Sequence, residues 1–95
     1  MIVRIWRARI DESRAEEYED FAQNRSVPTF RSHAGFIGCA LLRDGADCTV
    51  VTLWDTQRDV ERLETSDRYR ETVAAIMATG FVRAVGEARA AGVRT

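Results

Sequence analysis

Apolar and polar positions alternate along this chain with two different periods. From Ile2 to Ile10 the spacing is that of a strand, with Ile2, Trp6, Ala8 and Ile10 on one face. Val3, Ile5, Arg7 and Arg9 take the other face, and Arg4 interrupts the first. Ala15, Tyr18, Phe21 and Ala22 then recur at helical spacing. Ser13, with Glu16 three residues later, has the form of a capping box at the helix start. The acidic residues crowded between Asp11 and Asp20 suit the positive end of a helix and read as a solvated face. The helix is expected to weaken at Ser26-Val27-Pro28. There Ser26 can cap a second short helix that carries Pro28 in its first turn and Phe30 as its inward anchor. His33-Ala34-Gly35 ends it, with Gly35 free to turn left-handed.

Phe36–Arg43 and Cys48–Asp55 read as two strands of a hairpin around Asp44-Gly45-Ala46-Asp47. Both faces of this hairpin are apolar. Phe36, Ala40 and Leu42 are expected on one, Ile37, Cys39 and Leu41 on the other, and Val50 and Trp54 oppose Val51 and Leu53. An antiparallel sheet with one wet face alternates apolar and polar instead. Thr56, with Asp59 in the first turn, opens the next helix, in which Val60 and Leu63 face inward. Thr65-Ser66-Asp67 restarts or bends it, and Tyr69, Val73, Ile76 and Met77 form an amphipathic stripe that stops at Gly80. Phe81 to about Glu87 is the expected last strand.

The order β-α-β-β-α-β predicts an α+β, ferredoxin-like antiparallel sheet with helices on one face. The bare second face then predicts a homodimer by sheet-to-sheet packing, which closes a dimeric α+β barrel. Composition strengthens this expectation. Ninety-five residues fit one domain, 1–95, with a small core, yet 45% of them are hydrophobic. A net charge of −1 argues against a nucleic-acid partner. With no signal-like or membrane-spanning apolar run, the expected location is cytoplasmic and no membrane partner is expected. All 14 basic residues are Arg and none is Lys, which fits the codon bias of a GC-rich bacterial genome or recognition of anions by planar guanidinium groups. A lysine Schiff base is excluded outright. Pairing around Asp44-Gly45 makes Cys39 and Cys48 diagonal neighbours, too far apart for an easy disulfide, so two free, partly buried thiols are expected.

Ala34-Gly35-Phe36-Ile37-Gly38, Val51-Thr52-Leu53-Trp54-Asp55 and Ser66-Asp67-Arg68-Tyr69-Arg70-Glu71 together resemble the antibiotic biosynthesis monooxygenase-like domain of the dimeric α+β barrel superfamily. The resemblance runs from about Ile2 to Phe81. It implies several activities. Some members oxygenate aromatic polyketides without metal or flavin, some degrade haem, some process quinone-like molecules, and some have no known reaction. The same resemblance places Trp54 where the family has a cleft-lining tryptophan. Haem-degrading members also use a strand-one Asn and a His in the second helix, and here Ala8 and Val73 take those positions, so that activity is disfavoured.

Trp54 reads either as a helix-to-sheet packing residue or as a flat platform for an aromatic substrate. Trp6, Tyr69 and Phe36 could line the same pocket. His33, the only His, reads as a helix-end residue or as a general base. One of the strand arginines Arg4, Arg7, Arg9 and Arg43, with Arg7 the chosen candidate, could stabilise an enolate or phenolate. No cofactor motif and no metal-ligating cluster is apparent, and Gly35-x-x-Gly38 leads into a strand and so is no phosphate loop. The expected function is therefore a cofactor-independent monooxygenase-type oxidoreductase acting on a small aromatic or quinol-like compound. The alternative is a non-catalytic dimer that binds a small ligand.

Overall fold

A computed structural model describes residues 1–94, so Thr95, the last residue of the expected domain, lies outside the described residues. Strand β1 (Ile2–Ile10) is followed by a 3-10 turn (Glu12–Arg14), helix α1 (Ala15–Phe21), a π-helical turn (Ala22–Ser26) and helix α2 (Val27–Arg31). The hairpin β2 (Phe36–Asp44) and β3 (Asp47–Trp54) comes next, then α3 (Gln57–Thr65), α4 (Asp67–Ala78), β4 (Val82–Val85) and β5 (Arg89–Gly92). The sheet order is β2-β3-β1-β4, with β5 also paired to β1, and every pairing is antiparallel. This is the ferredoxin-like α+β arrangement. The expected last strand is shorter than Phe81–Glu87, and the alanine-rich segment beyond it adds a strand the sequence pattern did not show. Gly86 N–H bonds to the Arg7 carbonyl, between β4 on one end of β1 and β5 on the other.

Several local expectations change for identifiable reasons. Asp11, not Ser13, caps the first helical turn. Its carboxylate accepts from both the backbone N–H and the hydroxyl of Ser13, so that hydroxyl is already engaged. Ser26 caps nothing, since its backbone is helical (φ −66°, ψ −50°) and the helix runs on through it. The chain passes Pro28 by widening. Val27 N–H reaches back five residues to the Ala22 carbonyl, a π turn that relieves the crowding a proline ring imposes inside a regular helix. The carbonyl of Arg25 is taken by the Thr29 hydroxyl at 2.9 Å. Thr56 and Asp59 do form a capping box, and Ser66 ends α3 while capping α4. Gly35, at φ +85°, turns the chain from α2 into β2 as expected.

The hairpin register differs from the expected one. Asp44 faces Asp47 across Gly45-Ala46, so Cys39 faces Thr52 and Cys48 faces Arg43. Both thiols are free. Cys48 is buried and Cys39 is exposed. An irregularity between Phe36 and Gly38 moves Phe36 off the face of Ala40 and Leu42, so it pairs with Trp54.

Even-numbered positions of β1 and β3 face the helices. There, Ile10, Tyr18, Ala22, Cys48, Ile76 and Phe81 form one buried cluster. Phe30, Val50, Trp54, Val60 and Leu63 form a second, and Trp6 and Leu41 pack against both. Met77 leaves the α4 stripe and is exposed, whereas Thr72 joins it and is buried. The opposite sheet face keeps Val3, Ile5, Val51 and Leu53 partly exposed and Leu42 56% exposed. Among the described residues, no helix is long and apolar enough to cross a membrane.

Candidate functional site

The residue that interrupts the first strand's apolar face is the centre of the site. Alternation along β1 points Arg4 toward the helices, between Ile2 and Trp6 and opposite Thr52. Its side chain is only 3% exposed. Burying a guanidinium is costly unless it is paired. Nε donates to Glu64 Oε2 at 3.1 Å, and Nη2 donates to the Tyr69 phenol oxygen at 2.7 Å. The guanidinium carbon also lies 5.2 Å from the Tyr69 ring centroid. Glu64, near the end of α3, is 41% exposed, so its carboxylate is largely hydrated. Among the described residues, Nη1 has no partner, and no buried side-chain nitrogen or oxygen is left without one. Nη1 is therefore not a sealed atom.

Arg4 borders a cavity of about 40 Å³ at the seam between the two core clusters. The sheet contributes Arg4, Trp6 and Val50. The first helical run contributes Tyr18, Ala22, Ser26 and Phe30, and α4 contributes Tyr69, Thr72, Val73 and Ile76. That volume holds roughly three water molecules. A ring-sized ligand therefore requires α4 and the first helical run to part. Two polar ties cross this seam. The hydroxyls of Thr29 and Thr72 lie 2.8 Å apart, and His33 bridges α2 to the start of α4. The π turn ends at Ser26, whose hydroxyl has no hydrogen-bond partner among the described residues. Burial pushes the Tyr18 phenol well above its ordinary value, with the neighbouring Cys48 adding to the shift. Tyr18 is thus a neutral wall of the cavity.

The residues named from the sequence separate into two groups. Trp6 and Tyr69 line the cavity, one from the sheet and one from α4. Trp54 does not. Its side chain has no exposure, its indole N–H is satisfied by the Thr52 hydroxyl at 2.8 Å, and Val60 and Leu63 pack around it. Phe36 sits edge-on to Trp54 with ring centroids 5.4 Å apart, also away from the cavity. Arg7 is an odd position of β1, so it is exposed on the opposite sheet face. His33 lies outside the lining residues. Its Nδ1 is 2.7 Å from the Thr29 carbonyl, which can only accept, so Nδ1 carries a proton there, and Nε2 lies 2.7 Å from the Ser66 hydroxyl. Both ring nitrogens are thereby engaged.

Arg4, Phe30, Tyr18, Ser26 and Thr72 are among the lining residues that were not chosen as site residues from the sequence. The signal for Arg4 was present, because a charged residue at an inward strand position is either a break in the strand or a buried group with a task. Val73 lines the cavity and offers no metal-ligating atom, and Ala8 lies buried outside the lining.

Comparison with known proteins agrees with this architecture. No curated protein matches the chain with significance. Among solved structures, a candidate antibiotic biosynthesis monooxygenase from Deinococcus radiodurans superposes with a TM-score of 0.82 at 11% identity, covering 100% of this chain and 94% of the other. One from Bordetella bronchiseptica gives 0.81 at 18% identity, covering 99% and 97%. SnoaB, a cofactor-independent oxygenase from Streptomyces nogalater, gives 0.79 at 18% identity, covering 99% and 93%. At these identities the likeness is one of fold. The model of the antibiotic biosynthesis monooxygenase family matches residues 1–75, and the chain belongs to that family.

Proposed function

We propose that residues 1–95 form a single monooxygenase-type domain that oxygenates a small aromatic or quinol-like compound without a cofactor. The observation that carries this reading is an apolar, aromatic-walled cavity containing one buried guanidinium. Trp6, Phe30 and Tyr69 offer flat faces to a ring, with Phe30 and Tyr69 centroids 6.5 Å apart. Arg4 replaces Arg7 as the group that stabilises negative charge, because only Arg4 reaches the cavity. In the reaction the ionised substrate passes one electron to dioxygen, and the two radicals join as a peroxide. Taking up a proton and losing water, the peroxide leaves a carbonyl where the substrate had a CH₂ group. All four electrons that dioxygen takes up come from the substrate. The protein's part is to hold the ring, exclude water and stabilise the anion.

The setting is proposed to be a cytoplasmic, bacterial homodimer. Its support is the partly exposed apolar face built from Val3, Ile5, Val51 and Leu53. Light scattering should then give about twice the chain mass.

A second reading, a non-catalytic ligand-binding dimer, is favoured by one observation. None of the lining residues is a His, Asp or Glu, so no conventional general base stands in the cavity. Oxygen uptake with an anthrone decides between them. The oxygenase reading expects uptake well above the protein-free rate, lost in Arg4→Gln. Uptake equal to the protein-free rate overturns it.

A further inference from the structure

We infer that the cavity binds its ligand as a preformed oxyanion, gripped by Arg4 Nη1 and the Tyr69 hydroxyl. This deepens the oxygenase reading and rests on it for the identity of the cavity as the substrate site. The argument is a count of donors and acceptors. Tyr69 already accepts from Arg4 Nη2 at 2.7 Å, which directs its own O–H proton elsewhere. Among the described residues the Tyr69 hydroxyl donates to none. Arg4 Nη1 likewise has donors and no partner. Two side chains that line the cavity thus carry unanswered donors, one of them charged, among walls that are otherwise mostly apolar. Thr72, on the same wall, makes its hydrogen bonds with Thr29 and the Arg68 carbonyl and none with Arg4 or Tyr69. The missing partner is a ligand oxygen that accepts two hydrogen bonds and carries charge: a phenolate, an enolate or a carboxylate.

The charge balance points the same way. Glu64 neutralises Arg4 from the Nε side, where it is 41% exposed and screened by water. On the cavity side no carboxylate lines the walls among the described residues, so the guanidinium is the charged group there. Glu64 is then a positioning residue that holds the guanidinium plane and touches no ligand. The inference also accounts for the lack of a base among the lining residues. A ligand that arrives ionised needs none.

Calorimetric titration at neutral pH with benzoate and with its neutral isostere benzamide tests this. Benzoate is expected to bind at least about tenfold more tightly, the scale of one charge-assisted hydrogen bond. Arg4→Gln should bring the two probes level with the fold intact, and Tyr69→Phe should reduce the preference severalfold. Glu64→Gln keeps an acceptor for Nε and removes a negative charge, so benzoate affinity should rise, whereas a merely structural Glu64 would lower it. The two indole N–H signals in NMR locate the probe: that of Trp6 should shift and that of Trp54 should not. Equal binding of the two probes, no binding of either, or a preference that survives Arg4→Gln overturns the inference. Oxygen uptake with an anthrone is read separately. Uptake without any anion preference sinks this inference alone, and an anion preference without uptake sinks the oxygenase reading and leaves the oxyanion site standing.

Discussion

The two tryptophans project from the same face of the sheet into opposite physical situations. Trp54 ends β3 inside a dry cluster with Phe30, Val50, Val60 and Leu63, and its one polar atom is satisfied by Thr52. Trp6 stands in mid-strand at the seam between two clusters, partly exposed, beside an unfilled volume and a buried guanidinium. A closed, fully satisfied aromatic gives stability and has nothing left to offer a ligand. An aromatic next to unmet donors gives up some packing and gains a site. The tryptophan that a family pattern brings to notice is therefore the anchor of this fold, and the candidate site lies beside Trp6 on β1.

The most severe test of that contrast is Trp54→Ala. Removing a fully enclosed indole should cost about 3–5 kcal/mol, read as a large fall in thermal midpoint. A nearly neutral result would mean that Trp54 is no anchor. Gly35→Ala comes next, at roughly 3 kcal/mol, because the residue sits at φ +85° and an added Cβ would collide with the Asp59 carboxylate. The affected segment leads directly into Phe36, which packs on Trp54, so the anchor cluster should loosen before the cavity does.

A smaller effect separates the other cluster by pH. Burial pushes the Tyr18 phenol above its ordinary value of 10.0 and the Cys48 thiol above 9.0. The unfolded chain releases these protons at lower pH than the folded one. Their contribution to stability is thus complete below about pH 9 and declines as pH rises through 9 and 10. Denaturant midpoints should fall over that alkaline range, and Tyr18→Phe should flatten part of the fall. An unchanged slope in that variant would remove Tyr18 from the account. Arg7→Gln is the smallest: a stability change within about 0.5 kcal/mol and unaltered benzoate binding, since the residue lies on the opposite face of the sheet from Arg4. A loss of binding in Arg7→Gln would break the assignment of the site to the helix side.

Much of the fold was legible because its signals are local. The Thr56–Asp59 capping box, the Asp44–Asp47 hairpin and the left-handed glycines 35 and 80 each depend on a few neighbouring residues. The cap at Asp11 and the unbroken helix through Ser26 were missed because two local options competed. Asp11 and Ser13 both cap well, and a π turn relieves a proline without ending a helix. The site was half legible. Trp6 and Tyr69 were named because aromatic residues at inward positions are few, while Phe36 was misplaced by one irregular pairing that moves a residue to the other face.

The sequence by itself determined the order of the first four strands and of the helices, and the apolar surplus on the second sheet face, because these follow from periods of 2 and 3.6 and from caps and turns. It also placed Arg4 on the face of β1 that carries Ile2 and Trp6. Only the tertiary structure decided that Arg4 is paired with Glu64 and Tyr69, 60 and 65 residues away, and that it borders a cavity. It alone decided that Trp54 is sealed and Trp6 is not. Which side chains meet at a seam depends on how three elements pack in space, and no spacing along one chain segment carries that information.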